Sequence, residues 1–147
     1  MEEKYNLNTI FVLDAMHDQR VDKIEVNNNM LIVHFGHLAY YEPLTEKAKE
    51  YYNKHVKYHT CDVKFLDVDS AYAEVTKKNK LFFKGRIYYM DDFVEYLKKK
   101  QYTIEIFNMF TGYQTVILQG VFVNEIKGYC EECMIRIFAK QLIYEWK

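Results

Sequence analysis

Arg20-Val-Asp-Lys-Ile-Glu-Val-Asn27, then Asn28-Asn29, then Met30-Leu-Ile-Val-His-Phe-Gly36 is the stretch that decides the fold. Two runs rich in β-branched residues flank a pair of asparagines. Asparagine tolerates positive φ, which suits the tight turn of a two-residue hairpin. With Asn28 and Asn29 as the loop, Val26 faces Leu31, Ile24 faces Val33 and Asp22 faces Phe35. That register gathers Ile24, Val26, Leu31, Val33 and Phe35 on one face, and a slip of one residue would scatter them. It also sets Lys23 opposite His34 and Arg20 opposite His37.

The same period of two recurs downstream. Cys61, Val63 and Phe65 alternate with Asp62, Lys64 and Leu66; Ala71, Ala73 and Val75 alternate with Tyr72, Glu74 and Thr76. Leu81 to Tyr89 is a third strand, turned back by Lys77–Lys80. Tyr102, Ile104 and Ile106 begin another, which ends at a Thr111-Gly112 turn. Val116–Leu118 and Val121–Val123 are apolar on both faces, which places this strand centrally, and Gly120 within it points to a bulge. Asn124 to Glu132 reads as a polar loop. Met134–Phe138 and Leu142–Trp146 read as a final antiparallel pair. Helical spacing covers residues 43–54, opened by Pro43, and a second helix follows Asp91-Asp92, with Glu95 completing a capping-box-like pair and Lys98–Lys100 at its end. Residues 5–19 are ambiguous: Ile10–Leu13 suits an edge strand or a short helix capped by Thr9. Eight or nine strands and two helices, on connections too short for parallel crossovers, predict one α+β domain over residues 1–147. Its architecture is a mainly antiparallel, curved β-sheet or a two-layer β-rich fold, with one helix closing the core.

Composition narrows the function classes. Of 147 residues half are hydrophobic and 17% aromatic, which excludes a disordered chain. The net charge of -1 provides no global field for nucleic acid or an anionic membrane. No run reaches the ~20 apolar residues of a membrane helix, and the acidic opening Met1-Glu2-Glu3-Lys4 lacks a signal peptide's apolar segment. Three cysteines do not suit a disulfide framework. The wealth of Lys, Asn, Ile, Tyr and Phe suits an AT-rich bacterial genome, and a reducing cytoplasm is the expected setting.

Several constellations could carry chemistry, each with a plainer reading beside it. Cys130 and Cys133 have zinc-knuckle spacing, and His55, His59 and Cys61 could complete four ligands. Alternatively Cys133 points inward from a strand and His55 lies on a helix's apolar side; no metal or other cofactor is expected. His17-Asp18 is found in metal-dependent phosphohydrolases, but those are helical, and a backbone-bonding role at the bend is the alternative. Arg20, His34 and His37 could bind an anion or form a solvated sheet face, and His34 could be a hydrogen-bonded histidine under a helix. There is no Gly-x-Ser-x-Gly, no P-loop and no Gly-x-Gly-x-x-Gly. The 14 tyrosines include the pairs Tyr40-Tyr41, Tyr51-Tyr52 and Tyr88-Tyr89. In a strand, one ring of a pair points in and the other out. Outward rings favour protein interfaces, with Tyr40 and Tyr88 as candidates. Interleaving with Lys77, Lys78, Lys80, Lys84 and Arg86 would also suit single-stranded nucleic acid, against which the near-neutral charge and the lack of an RRM-type motif speak.

Leu13-Asp-Ala-Met-His17-Asp18-Gln-Arg20-Val-Asp-Lys-Ile24, followed by the asparagine turn and Leu31–Phe35, resembles the opening of small β-rich bacterial proteins, some grouped with immunity proteins of toxin systems. Gly85–Phe93, a strand running into a capped helix, fits that type. The resemblance implies a compact module that neutralises or scaffolds a partner without a cofactor. The expectation is therefore a non-catalytic protein-binding module, or one that self-associates. The alternative is a small-ligand carrier or enzyme with a pocket between the sheet and the Asp91–Lys100 helix.

Overall fold

The computed structural model describes residues 1–8, 16, 18–40, 45–78 and 83–147, excluding the side chains of residues 47, 48, 77, 78, 83, 84 and 130. The readings of Thr9, Ile10–Leu13, His17, Pro43 and Leu81 lie outside the described residues. The elements in order are β1 (Glu2–Asn6), β2 (Gln19–Val21), β3 (Lys23–Asn27), β4 (Met30–Phe35), α1 (Glu46–His55), β5 (Cys61–Leu66), β6 (Ser70–Lys78), β7 (Phe83–Tyr89), α2 (Met90–Lys100), β8 (Thr103–Gly112), β9 (Thr115–Asn124), β10 (Gly128–Phe138) and β11 (Gln141–Trp146). They form two antiparallel sheets that do not close into a barrel, ordered β1-β11-β5-β4-β3 and β2-β8-β9-β10-β6-β7.

The asparagine hairpin forms in its expected register, with Ile24 paired to Val33, Val26 to Leu31 and Lys23 to His34. Asn28 takes the left-handed conformation, φ 51°. Four of the five expected core residues are buried, but Val26 is 39% exposed. It sits near the hairpin tip on an edge strand, beside an open groove.

Asp22 is where the chain changes sheets. β2 pairs with β8 in the six-stranded sheet, whereas β3 pairs with β4 in the five-stranded one. Between them the Asp22 N–H donates to His34 O at 2.9 Å, and the Gly36 N–H donates to the Asp22 carboxylate at 2.7 Å. The last two strands behave in the same way. β10 pairs with β9 and β6, while β11 pairs with β1 and β5, so the expected β10–β11 pairing is replaced by a crossing between layers at Ala139-Lys140. At that crossing Ala139 N–H bonds Gln114 O in one layer and Lys140 N–H bonds Leu66 O in the other.

The inner faces of both sheets make one core, in which the Tyr144 hydroxyl donates to Met109 Sδ at 3.4 Å across the layers. α2 covers one part of the six-stranded sheet's inner face, with Phe93 6.0 Å from Phe122. Its start differs from the expected acidic cap: Tyr89 holds the N-cap position with no side-chain cap bond, and Asp91 and Asp92 lie in the first turn, where negative charge favours the helix dipole. Gln101, φ 54°, closes the helix in a Schellman arrangement, with Gln101 N–H to Lys98 O and Tyr102 N–H to Leu97 O.

The expected bulge exists, but on the strand opposite Gly120. Ile106 pairs with Gly120 and Asn108 with Gln119, which leaves Phe107 as the extra residue of β8. Gly120 is needed because the backbone of β8 comes close there. The polar loop is shorter than expected, since β10 already starts at Gly128; Asn124 Oδ1 accepts from the N–H groups of Ile126 and Lys127, both at 3.0 Å, and closes the turn.

Candidate functional site

The anion-site candidates separate into two places. Arg20 and His37 are bridged across strands, as the register predicts. They line a groove of about 710 Å3 at the sheet change, together with Asp18, Gln19, Asp22, Ala39, Glu105 and Tyr129. Gln19 builds its wall: the buried amide donates to Ala39 O and accepts from Ala39 N–H, both at 2.8 Å, substituting for a strand neighbour. Arg20 lies 3.7 Å from Glu105, which also accepts from the Tyr129 hydroxyl at 3.0 Å. Three carboxylates thus share the groove with one guanidinium and one imidazole.

His34 is not part of that groove. It stands on the outer face of the five-stranded sheet, its Nδ1 2.7 Å from Asp62 Oδ1 and its Nε2 3.6 Å from Glu25. Burial pushes the Asp62 carboxyl up, but hydrogen bonds from Lys147 and His34 outweigh it and hold the group below its usual value. Lys64 pairs with Glu145 at 2.8 Å, Lys147 with Asp62 at 2.6 Å, and Lys23 with Glu25. This outer face is a network of paired charges, in which the buried His34 Nε2 makes no hydrogen bond.

The tyrosine candidates are placed by strand parity. Tyr88 is only 8% exposed, packed 4.9 Å from the Tyr96 ring with the Arg86 guanidinium 4.8 Å over its face. The surface ring of that pair is Tyr89, 73% exposed. Tyr88 is therefore a core residue, because β7 turns even-numbered positions inward at this end. Tyr40 is half-buried, edge-on to Tyr52 at 6.2 Å, and burial pushes its phenol up to about 12.

Beyond the row that carries the Arg20–Glu105 pair, the outer face of the six-stranded sheet differs in kind from that of its partner layer. Register places Phe110, Ile117, Arg136, Tyr72 and Tyr89 in one row across β8, β9, β10, β6 and β7. The neighbouring row is Asn108, Gln119, Met134, Glu74 and Ile87. Phe110 and Ile87 are 53% and 62% exposed, and Tyr72 stacks on Phe138 at 6.3 Å. Both helices pack elsewhere: α2 reaches inward through Phe93, and Tyr51 and His55 of α1 contact Trp146, whose ring is buried. Sequence reasoning missed this row. Alternation marks each of its residues as outward on some strand, but the cross-strand alignment exists only once five strands are in register.

The metal candidates do not converge. His55 is 1% exposed, with Nδ1 2.7 Å from Tyr51 O and Nε2 3.2 Å from the Glu3 carboxylate. Glu3 also accepts from Trp146 Nε1 at 3.0 Å and from Lys54. Cys133 points into the core from β10, where burial pushes its thiol up to about 12; the Cys130 side chain lies outside the described residues. His59 is exposed. Among the described residues no three His, Cys, Asp or Glu side chains are grouped to hold a metal.

Two grooves of about 260 and 410 Å3 run between β3 and α2, floored by Val21, Ile24, Val94 and Leu97 and rimmed by Lys23, Lys98 and the carboxylates of Asp22, Glu25, Asp91 and Glu95. No described helix is long and apolar enough to cross a membrane. Comparison with known proteins gives no match to a family model, a curated protein or a solved structure.

Proposed function

We propose that this chain is a non-catalytic protein-binding module that engages its partner through the outer face of the six-stranded sheet. The observation that carries the reading is the contrast between the two outer faces. One spends its charges on itself; the other presents aromatic and aliphatic side chains to solvent, which a monomeric surface ordinarily keeps scattered. Tyrosine, phenylalanine and arginine are the side chains that dominate interface energetics. The resemblance of the opening segment to immunity-type proteins extends the proposal to a toxin-neutralising role in a bacterial cytoplasm. The test compares capture of proteins from a native lysate by the wild-type chain and by the triple variant Ile87→Ala, Tyr89→Ala, Phe110→Ala. A stoichiometric partner held by the first and lost by the second supports the reading. A partner held equally by both, or none at all, refutes it.

A second reading rests on the β3–α2 grooves, whose apolar floor would suit a small apolar ligand. A screen of small apolar ligands by thermal shift tests it; no stabilisation by any of them removes this reading.

A further inference from the structure

Arg136 occupies the middle of the row described above. Ile117 and Tyr72 flank it across strands, and Met134 and Phe138 flank it along β10. It is half-buried, and among the described residues no carboxylate lies within ion-pair distance of it. Glu74, opposite Met134 in the neighbouring row, carries its carboxylate beside Gly85 instead, 3.1 Å from where a Cβ there would lie. The outer face of the five-stranded sheet differs, because there Lys23, Lys64 and Lys147 all have carboxylate partners.

A guanidinium ringed by apolar side chains is a costly arrangement unless something completes it. Water does so in the free chain. In a complex that covers the row, that water is expelled, and the planar fork of the guanidinium then requires a planar acceptor. A second copy of this chain is a poor occupant. A two-fold axis near the centre of the patch would set Arg136 against its own counterpart, and facing like charges are strongly disfavoured. We infer, building on the proposed function, that Arg136 is the specificity anchor of this face, and that it takes an Asp or Glu carboxylate of a different protein, presented among apolar side chains.

The test uses the full chain and a random 12-residue peptide library displayed on phage. Selected peptides are synthesised and their affinities measured for the wild type, Arg136→Lys, Arg136→Gln, the triple variant Ile87→Ala, Tyr89→Ala, Phe110→Ala, and the opposite-face control Lys64→Gln. Thermal melts of every variant establish that it is folded. The expected peptides carry Asp or Glu beside aromatic or aliphatic residues. Arg136→Gln weakens them about tenfold or more, as loss of an interface hot spot does, Arg136→Lys less, and Lys64→Gln leaves them unchanged. Peptides lost on the triple variant but equally tight on Arg136→Gln, or peptides without acidic residues, overturn the role of Arg136 while leaving the face as a binding surface. Peptides indifferent to the triple variant overturn the surface itself. Dimerisation of the free chain in light scattering, abolished by the triple variant, overturns the choice of a different protein as occupant.

Discussion

Replacing Gly120 by alanine should destabilise the protein by about 2 kcal/mol. An added Cβ would lie 2.4 Å from Glu105 O, 3.0 Å from Ile104 Cγ2 and 3.2 Å from the Glu105 carbonyl carbon. Two of those three atoms are backbone, belonging to β8 immediately before its bulge. β9 is held on its other side by β10, where Gly120 pairs with Cys133, so neither neighbour can retreat freely. Overpacking costs about 1–3 kcal/mol, and a backbone oxygen at 2.4 Å places this site at the upper end; the lost freedom of the unfolded glycine returns ~0.4–1 kcal/mol, which leaves about 2 kcal/mol. With roughly 2–4 °C of Tm per kcal/mol for a chain near this length, the midpoint should fall by about 4–8 °C. Gly112→Ala is the matched control, because its Cβ would meet nothing within 4 Å and its φ is not positive; it should be neutral or slightly stabilising. Urea unfolding followed through the lone, buried tryptophan, Trp146, measures both. A Gly120→Ala variant within about 0.5 kcal/mol of wild type, or a Gly112→Ala variant equally damaged, would refute the close-approach reasoning.

Glu3→Gln should cost about 2–3 kcal/mol, since the carboxylate accepts from Trp146, Lys54 and His55 at once and charged hydrogen bonds of this kind contribute ~1.5–3 kcal/mol. Burial pushes the Glu3 carboxyl up, but those three hydrogen bonds together hold it below its ordinary value of 4.5. Its contribution is therefore present above pH 4.5 and lost as pH falls through the lower folded value. Unfolding curves from pH 7 downward should converge for wild type and Glu3→Gln; a constant gap between them contradicts the assignment. Gln19→Ala should cost about 1–3 kcal/mol, because it strands both the N–H and the C=O of Ala39 in a part-buried site. Amide exchange of Ala39 reports this directly, and unchanged protection there would show that the amide clamp is dispensable.

Local patterning gave the hairpin register, the alternation of β5 and β6, both helices and even the Arg20–His37 pairing, which follows from extending a two-residue turn by simple counting; β9, read as apolar on both faces, in fact alternates. The groove at Arg20 and His37 was half-visible for the same reason, whereas its wall, Gln19 on Ala39, joins residues twenty apart through a side chain that no periodicity marks. His34 appeared to belong with that pair because it lies on the same hairpin, but the sheet change at Asp22 carries Arg20 into the other layer. Tyr88 and Tyr89 were correctly read as one ring in and one out. Which was which needed an absolute parity, and parity is set by pairing with β6 and by the aromatic cluster beneath α2.

The sequence by itself determined that this chain forms antiparallel strands, because a period of two in side-chain polarity is a property of a few consecutive residues. Only the tertiary structure decided how those strands are shared between layers. β10 and β11 look like neighbours along the chain, yet each joins a different sheet, and the choice depends on surfaces contributed by residues as far as 143 positions away, as Glu2 is from Glu145. The aligned row through Arg136 belongs to the same class of fact: five strands must be in register before five separate outward side chains become one surface.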